Sequence, residues 1–109
     1  MEIPESLRNQ VIELVKTIPY GKVMSYGQIG SKLGVEDARL IGWTMHTLHD
    51  DVPWWRVVNN EGKITINDDA LRLKQKELLA AEGISVTDDF ALDIEKYRHG
   101  IVPGQKKLF

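Results

Sequence analysis

Apolar residues recur at helical spacing near the start of the chain. Between residues 4 and 18 they fall three or four positions apart and form one stripe: Leu7, Val11, Leu14, Val15 and Ile18. Pro4 is typical of a first helical turn, and Pro19 with Gly21 ends the pattern. The spacing therefore predicts a first helix over residues 4–18.

Two shorter helices are predicted next. Ser25 and Gln28 fit a capping box, so a helix begins there, runs to about residue 33 and stops at Gly34. Asp37 then precedes a third helix, whose inward face would hold Leu40, Ile41, Thr44, Met45 and Leu48. Two short helices joined by a glycine-containing turn favour a helix-turn-helix, although an ordinary helical hairpin has the same pattern.

A small hairpin is predicted after the third helix. Val57, Val58 and residues 64–66 have strand-like character, and they flank the turn-forming residues 59–62. Such a hairpin would form a wing beside the helix-turn-helix. The pattern as a whole predicts a mainly α fold with a small β hairpin, of the winged-helix type.

The rest of the chain predicts one more helix and a less regular end. Asp68 and Asp69 cap a helix that ends at Gly83 and turns three leucines inward: Leu71, Leu78 and Leu79. Residues 84–86 and 92–94 favour short strands, and residues 100–109 favour a loose tail.

Length and composition fit one domain. The chain has 109 residues, 42% hydrophobic and 28% charged. We expect a single domain over residues 1–109, with a core of about 5–86 and a C-terminal extension of 87–109. No apolar run approaches the roughly 20 residues that span a bilayer, and the acidic N-terminus is not typical of a signal peptide.

Charge alone is ambiguous. The net charge of -2 does not indicate a nucleic-acid binder. Residues 14–35, however, contain three lysines and no acid, whereas residues 77–95 contain six acids and no base. One side could face phosphate, and a solvated mixed surface explains the same distribution equally well.

The third helix has a second, polar face formed by Arg39, Trp43 and His46, with Gly42 beside it. A cation near a helix start is unfavourable against the helix dipole, so Arg39 needs an offsetting partner. That partner is either DNA, which a helix-turn-helix meets with this surface, or one of the acids Glu36 and Asp37. The sequence leaves both alternatives open.

Aromatic residues add a possible base-binding surface. Tyr26 begins the second helix, and Trp54 and Trp55 follow Pro53. Stacking of a base on an aromatic ring is worth about 1–3 kcal/mol, although large aromatics more often pack in a core. Because neighbours on an extended segment point to opposite sides, we expect one tryptophan in the core and one at a surface.

Enzyme chemistry has little support in the sequence. The chain has no cysteine, which excludes a disulfide, a thiolate zinc site and a thiol nucleophile. His46, His49 and Asp50 could ligate a metal, but their spacing is not convincing, and polar residues are expected at a helix end. We expect no metal and no cofactor.

Several dispersed blocks resemble the DNA-binding domain of the O6-alkylguanine-DNA alkyltransferases. The blocks occur in the family's order over roughly residues 5–86: 18–23, 25–29, 38–42, 53–58 with Gly62, and 82–83. The family signature is Pro-Cys-His-Arg-Val, in which the cysteine accepts the alkyl group. Here Trp54 stands at the cysteine position, as in the alkyltransferase-like proteins, and Trp55 departs from the usual histidine.

The resemblance implies roles for individual residues. Tyr26 would press on the phosphate of the target nucleotide, and Arg39 would fill the vacated stack. Small residues would let the third helix enter the minor groove, and Trp43 and His46 would extend that DNA contact, in a set comprising Tyr26, Ala38, Arg39, Gly42, Trp43 and His46. The alkylguanine pocket would comprise Tyr26, Met45, Pro53, Trp54, Arg56, Val57 and Val58, with Arg56 also anchoring its loop and Glu82 behind the site.

The resemblance also implies a function without turnover. The protein would flip O6-alkylguanine out of duplex DNA, block alkyltransferases and direct the lesion to nucleotide excision repair proteins. We expect a monomer without membrane association, cytoplasmic and nucleoid-associated in a bacterium or nuclear in a eukaryote. The alternative in another class is a sequence-specific helix-turn-helix regulator that reads bases with Arg39 and Trp43.

Overall fold

The structure is a computed structural model that describes residues 3–100. Its helices are α1 Glu5–Lys16, α2 Tyr26–Leu33, α3 Ala38–Met45, α4 Asp69–Ala81 and α5 Ile94–Tyr97, and its strands are β1 Met24–Ser25 and β2 Val57–Val58. A 3₁₀ turn, Trp54–Arg56, precedes β2. The prediction of a loose tail lies, apart from Gly100, outside the described residues.

Local capping chemistry sets the helix ends as predicted. The Ser25 hydroxyl accepts from the Gln28 amide at 3.1 Å, and the Gln28 side chain accepts from the Ser25 amide at 2.9 Å. Gly34 ends α2 with a left-handed φ of 72°, and the Asp68 carboxylate accepts from the first turn of α4. The capping box and both helix boundaries are therefore confirmed.

The first core cluster joins α1 to the helix-turn-helix. Its buried members are Leu7, Val11, Val15, Ile18, Met24, Ile29, Ile41, Val52 and Val57. On α3, Ile41 and Thr44 are buried, Leu40 and Met45 pack partly against this cluster, and Leu48 does so from beyond the end of the helix. The predicted apolar faces of α1 and α3 are therefore confirmed, and α2 and α3 form the predicted helix-turn-helix.

The β component is small, as predicted, but its pairing differs from the predicted hairpin. β2 pairs in parallel with β1, with Met24 opposite Val57 and Ser25 opposite Val58. Residues 59–63 do form a tight turn, in which the Asn59 amide donates to the Lys63 carbonyl at 3.0 Å. The Ile64 amide, however, donates onward to the Phe90 carbonyl at 2.9 Å. Residues beyond the turn therefore follow the C-terminal segment, and pairing of residues 64–66 with β2 was wrong.

Two further predictions for the second half were wrong. Leu79 of α4 is buried as predicted, but Leu71 is 41% exposed and the other buried position of the helix is Gln75. Gln75 is tolerated in the core because its amide donates to the carbonyls of Trp55 and Val57, at 3.1 and 3.0 Å. Residues 84–86 and 92–94 do not form the predicted strands; instead α5 begins at Ile94, capped by the preceding aspartate.

The second core cluster holds the C-terminal segment against the domain. Its buried members are Val23, Val58, Ile64, Leu79, Ile84, Leu92 and Ile94. The Val23 amide donates to the Tyr97 carbonyl at 2.9 Å, and the His99 amide donates to the Val23 carbonyl at 2.8 Å. Within residues 3–100, no helix combines the length and apolar character that a bilayer crossing needs.

Candidate functional site

One cleft is lined by the polar face of α3, the start of α2 and the turn after β2. Its volume is about 470 Å³. All six residues assigned to DNA contact line this cleft: Tyr26, Ala38, Arg39, Gly42, Trp43 and His46. Its opposite side comprises residues that the sequence reasoning left out of the site, namely Asn59, Asn60, Glu61, Thr65 and Ile66. The predicted turn over residues 59–62 was the signal that could have identified this side.

The turn is fixed against α2 by a close backbone approach at Gly27. The Gly27 amide donates to the Asn60 side chain at 2.9 Å. A Cβ atom on Gly27 would lie 2.7 Å from the same Asn60 oxygen, closer than such contacts allow. Glycine at this position therefore lets the turn and the second helix form one wall of the cleft.

Arg39 has an acidic partner within its own helix start. Its guanidinium donates to both carboxylate oxygens of Asp37, each at 3.1 Å, and lies 6.0 Å from the centre of the Trp43 ring. These hydrogen bonds, from the side chain first and then from the Arg39 amide, lower the pKa of Asp37. The Arg39 side chain is 78% exposed, and such exposed pairs contribute little to stability. Arg39 is therefore both paired and accessible to a ligand in the cleft.

Tyr26 is partly buried and lines the cleft. Burial raises the pKa of its hydroxyl, and a hydrogen bond with the Thr65 side chain opposes that shift in part. The hydroxyl therefore keeps its proton at neutral pH and can donate a hydrogen bond to an anionic oxygen.

A small cavity of about 30 Å³ adjoins the cleft, with which it shares the lining residues Tyr26, Gly42, His46 and Ile66. Four of the predicted pocket residues line it, namely Tyr26, Met45, Trp54 and Val57, together with Gly42, His46, Ile66 and Gln75. The other three do not belong to its lining: Val58 is buried in the second core cluster, Arg56 points to Glu82, and Pro53 precedes the 3₁₀ turn. The space fits a water-sized or methyl-sized group but not a purine base.

The two adjacent tryptophans have different surroundings. They lie on the 3₁₀ turn and not on an extended segment, with their rings 6.0 Å apart and nearly perpendicular, at 85°. Trp55 packs against the second core cluster, whereas Trp54 lines the small cavity. The prediction of one core tryptophan is therefore wrong, because both rings remain partly exposed, although Trp55 does pack against the core.

Glu82 organises the loop that carries both tryptophans. It accepts from the Trp55 indole at 2.7 Å, from the Gly21 amide at 2.7 Å, and pairs with the Arg56 guanidinium at 2.9 Å. Arg56 also donates to the Ile18 carbonyl at 2.8 Å. Burial alone would raise the pKa of Glu82, but the hydrogen bonds from Arg56, Gly21 and Trp55 outweigh it, so the net effect is a lowered pKa.

The suggested metal cluster is not assembled. Within the part of the chain that the structure describes, no three side chains of histidine, cysteine, aspartate or glutamate are grouped to hold a metal ion. Asp50 instead accepts from the Trp54 indole at 2.9 Å and from Lys74 at 2.7 Å. Both carboxylate oxygens of Asp50 are therefore hydrogen-bonded to side chains near the small cavity, one to Trp54 and one to Lys74.

Comparison with known proteins gives the same family from three directions. Residues 6–84 match the model of the 6-O-methylguanine DNA methyltransferase DNA-binding domain. Alkyltransferase-like protein 1 of Schizosaccharomyces pombe is 36% identical over 96 residues, which cover 81% of this chain and 89% of that protein. The DNA base-flipping protein of Escherichia coli K12 is 34% identical over 101 residues, 90% of this chain and 78% of that protein.

The fold agrees with the sequence relationship. The structure of S. pombe Atl1 in complex with damaged DNA containing O6-carboxymethylguanine superposes with a TM-score of 0.83 at 33% identity, over 93% of this chain and 100% of that chain. The predicted winged-helix-like domain is thereby confirmed. With Trp54 at the position of the acceptor cysteine, the chain belongs to the 6-O-methylguanine DNA methyltransferase DNA-binding-domain family and to its alkyltransferase-like members.

Proposed function

We propose that this protein binds duplex DNA and holds an O6-alkylated guanine that has been turned out of the base stack, without removing the alkyl group. One observation carries the proposal: the cleft formed by α3 and the turn after β2 shares four lining residues with the cavity that Trp54 lines, namely Tyr26, Gly42, His46 and Ile66. Relatives named for base flipping, and an Atl1 complex with O6-carboxymethylguanine DNA, support the same activity here.

Each side chain of the cleft has a physical part in this binding. The helix α3 enters the minor groove with Ala38 and Gly42 facing the duplex, because small residues permit close approach. The Tyr26 hydroxyl donates a hydrogen bond to the phosphate of the target nucleotide, and the Arg39 side chain leaves Asp37 to fill the space that the extruded base vacates. Extrusion costs a few kcal/mol, least for a weakly paired lesion, which favours O6-alkylguanine over guanine.

The alkyl group binds where the family's nucleophile would attack it. The cavity beside Trp54 and Met45 fits a methyl-sized group, and the purine occupies the adjoining cleft. Burial of one methylene-sized group contributes about 0.8 kcal/mol. Apolar burial therefore adds selectivity to that of easier extrusion.

Turnover is absent in this proposal because the reacting groups are missing. The 109 residues contain no cysteine, and an indole cannot act as a thiolate nucleophile. Trp55 stands at the histidine position, and its indole donates to Glu82 at 2.7 Å. Since the lesion stays intact, its removal requires another activity, and we propose that the bound complex recruits nucleotide excision repair proteins while the protein itself acts as a monomer.

A binding titration tests the function directly. Duplexes that differ only by guanine or O6-methylguanine at one site should differ in affinity by tenfold or more, which corresponds to about 1.4 kcal/mol, in any flanking sequence. Mass spectrometry should recover the methyl group on the DNA. Equal affinity for both duplexes, or tight binding to a single undamaged sequence, would favour the regulator alternative; methyl transfer to the protein would refute non-enzymatic binding.

Arg39→Ala provides the second arm of the test. Loss of the side chain should weaken binding to damaged and plain duplex alike, because the stacking partner is lost from both complexes. The thermal midpoint should hardly move, since the pair of Arg39 with Asp37 is exposed. Unchanged affinity would remove Arg39 from the proposed interface.

A further inference from the structure

The charges around the cleft differ from those of an ordinary DNA-binding surface. Among residues 3–100, the cleft is lined by one cation, Arg39, and one acid, Glu61, with His46 counted as neutral at pH 7. Asp37 adds a second carboxylate at the edge, where its two oxygens accept from the Arg39 guanidinium at 3.1 Å. The cleft and its edge therefore carry two carboxylates and one guanidinium, whereas DNA-binding surfaces are ordinarily basic.

The basic segment of the chain does not supply the missing positive charge. None of its three lysines lines the cleft, although the segment has no acid between residues 14 and 35: Lys16, Lys22 and Lys32. Lys32 instead lines a separate groove with Thr17 and His99, and the described lining of that groove shares no residue with the cleft. Attraction between this segment and phosphate therefore does not act inside the cleft.

Glu61 is held on the cleft wall by a fixed turn. Its amide donates to the Asn59 side-chain oxygen at 2.9 Å, and the Lys63 amide donates to the same oxygen at 2.8 Å. The neighbouring Asn60 side chain accepts from the Gly27 amide, which ties the turn to α2. The backbone of Glu61 therefore stays on the wall opposite α3, and its exposed side chain lies at the cleft.

In the proposed complex this wall meets the sugar-phosphate backbone, because α3 occupies the minor groove. A carboxylate there repels phosphate, and two like charges about 4 Å apart in water weaken binding by about fivefold. Arg39 does not offset this repulsion, since it pairs with Asp37 before binding and fills the base stack afterwards. The electrostatic part of DNA binding is therefore small at this cleft.

We propose that Glu61 is a specificity-determining residue that opposes phosphate binding at the cleft and thereby shortens residence on undamaged duplex. Non-specific binding draws essentially all of its affinity from phosphate attraction. Lesion binding also gains from stacking and apolar burial, which do not depend on phosphate charge. The protein therefore leaves plain duplex quickly and stays where an extruded base adds these uncharged contacts. The inference rests on the proposed function, since it requires duplex DNA in the cleft.

The test measures the salt dependence of binding in matched charge variants. Dissociation constants for plain and O6-methylguanine duplexes are determined between about 50 and 200 mM salt with wild-type protein, Glu61→Gln and Glu77→Gln. At the lowest salt, Glu61→Gln should bind both duplexes about three- to tenfold more tightly. Its slope of log K against log salt should steepen by about 0.5–1, because one repulsive charge is removed from the phosphates.

Glu77→Gln is the control for net charge. It makes the same change of charge at an exposed position of α4 that does not line the cleft, so affinity and slope should stay near the wild-type values. Glu61→Asp keeps the carboxylate and should also resemble wild-type protein, which separates charge from shape. Dissociation from plain duplex, followed by stopped-flow fluorescence, should be slower for Glu61→Gln than for wild-type protein.

The outcomes distinguish this inference from the proposed function. With the wild-type preference for O6-methylguanine intact, an unchanged affinity and slope in Glu61→Gln would overturn the role of Glu61 alone. A gain confined to the O6-methylguanine duplex, or an equal gain in Glu77→Gln, would overturn it as well. If wild-type protein lacks the preference, the proposed function fails, while a steeper slope for plain duplex in Glu61→Gln alone still supports the role of Glu61. Absence of binding by every variant would refute both.

Discussion

Gly42 is a glycine that the packing of the protein does not require but that the proposed DNA contact does. It lies inside α3 and lines the cleft, yet among residues 3–100, apart from its chain neighbours and the backbone of its own helix, no atom lies within 4 Å of the position that a Cβ would occupy. A glycine inside a helix costs about 1 kcal/mol relative to alanine, so packing within the protein gives no reason for it. The proposed minor-groove contact would supply a reason, because it brings DNA close to this position.

Gly42→Ala should therefore stabilise the protein while weakening its binding. We expect the free energy of unfolding to rise by up to about 1 kcal/mol, and the affinity for O6-methylguanine duplex to fall by about tenfold. Denaturant unfolding and the binding titration measure the two effects separately. A variant that gains stability and binds normally would show that α3 does not approach DNA at this point.

The control for this substitution is another helical glycine that faces the interior. At Gly30 of α2 a Cβ would lie 2.7 Å from the Val35 carbonyl oxygen. Gly30→Ala should destabilise the protein, because the backbone of the turn after α2 must shift. The two alanine substitutions then have opposite signs in the same unfolding assay.

At the scale of elements, Glu82 ties the end of α4 to the loop that carries the tryptophans. Its side chain is 5% exposed and pairs with Arg56, which is 15% exposed. Glu82→Ala leaves the Arg56 charge without its buried partner, which typically costs about 3–5 kcal/mol. That loss is a large part of the roughly 5–15 kcal/mol that stabilises an ordinary domain.

Denaturant unfolding should give this loss for Glu82→Ala, with Glu77→Ala as the control. Glu77 lies exposed on the same helix, so its removal should change the free energy of unfolding by about 0.5 kcal/mol at most. Equal effects of the two substitutions would contradict a structural role for the pair of Glu82 with Arg56.

Element boundaries were predicted well where the deciding contacts are local. The capping box of α2 joins Ser25 to Gln28, three residues away, and the motif can be recognised from these two residue types in the sequence. The pairing of β2 was missed because its partner is β1, not the segment that follows it. The burial of Gln75 was missed for a related reason, since its acceptors are the carbonyls of Trp55 and Val57. Hydrophobic periodicity contains no information about such distant acceptors.

At the scale of the whole molecule, stability should depend on pH through Glu82. Its pKa in the folded state lies below its ordinary value, so the unfolded state takes up the proton more readily. The stabilisation is therefore fully present above the ordinary glutamate pKa of about 4.3 and is lost as the pH falls through the lower, folded-state value.

Free energies of unfolding measured between pH 7 and pH 3 should reveal this dependence. Wild-type protein should lose stability steadily below about pH 4.3, and Glu82→Gln should lose less over the same interval because it cannot titrate there. Asp37 and Asp50 also have lowered pKa values, but both are exposed, so they remain as a shared background in the two proteins. Identical pH profiles of wild-type protein and Glu82→Gln would show that the titration of Glu82 does not cause the loss of stability.

The sequence by itself predicted two short helices joined by a glycine-containing turn, gave the family resemblance and determined the absence of a thiol nucleophile. These follow from contacts between near neighbours and from composition, since the 109 residues include no cysteine. Only the tertiary structure decided which distant residues meet: Trp55 donates to Glu82 across 27 positions, and Lys74 reaches Asp50 across 24. Such contacts depend on how helices pack and on which buried polar groups need a partner, and neither is encoded in the local pattern.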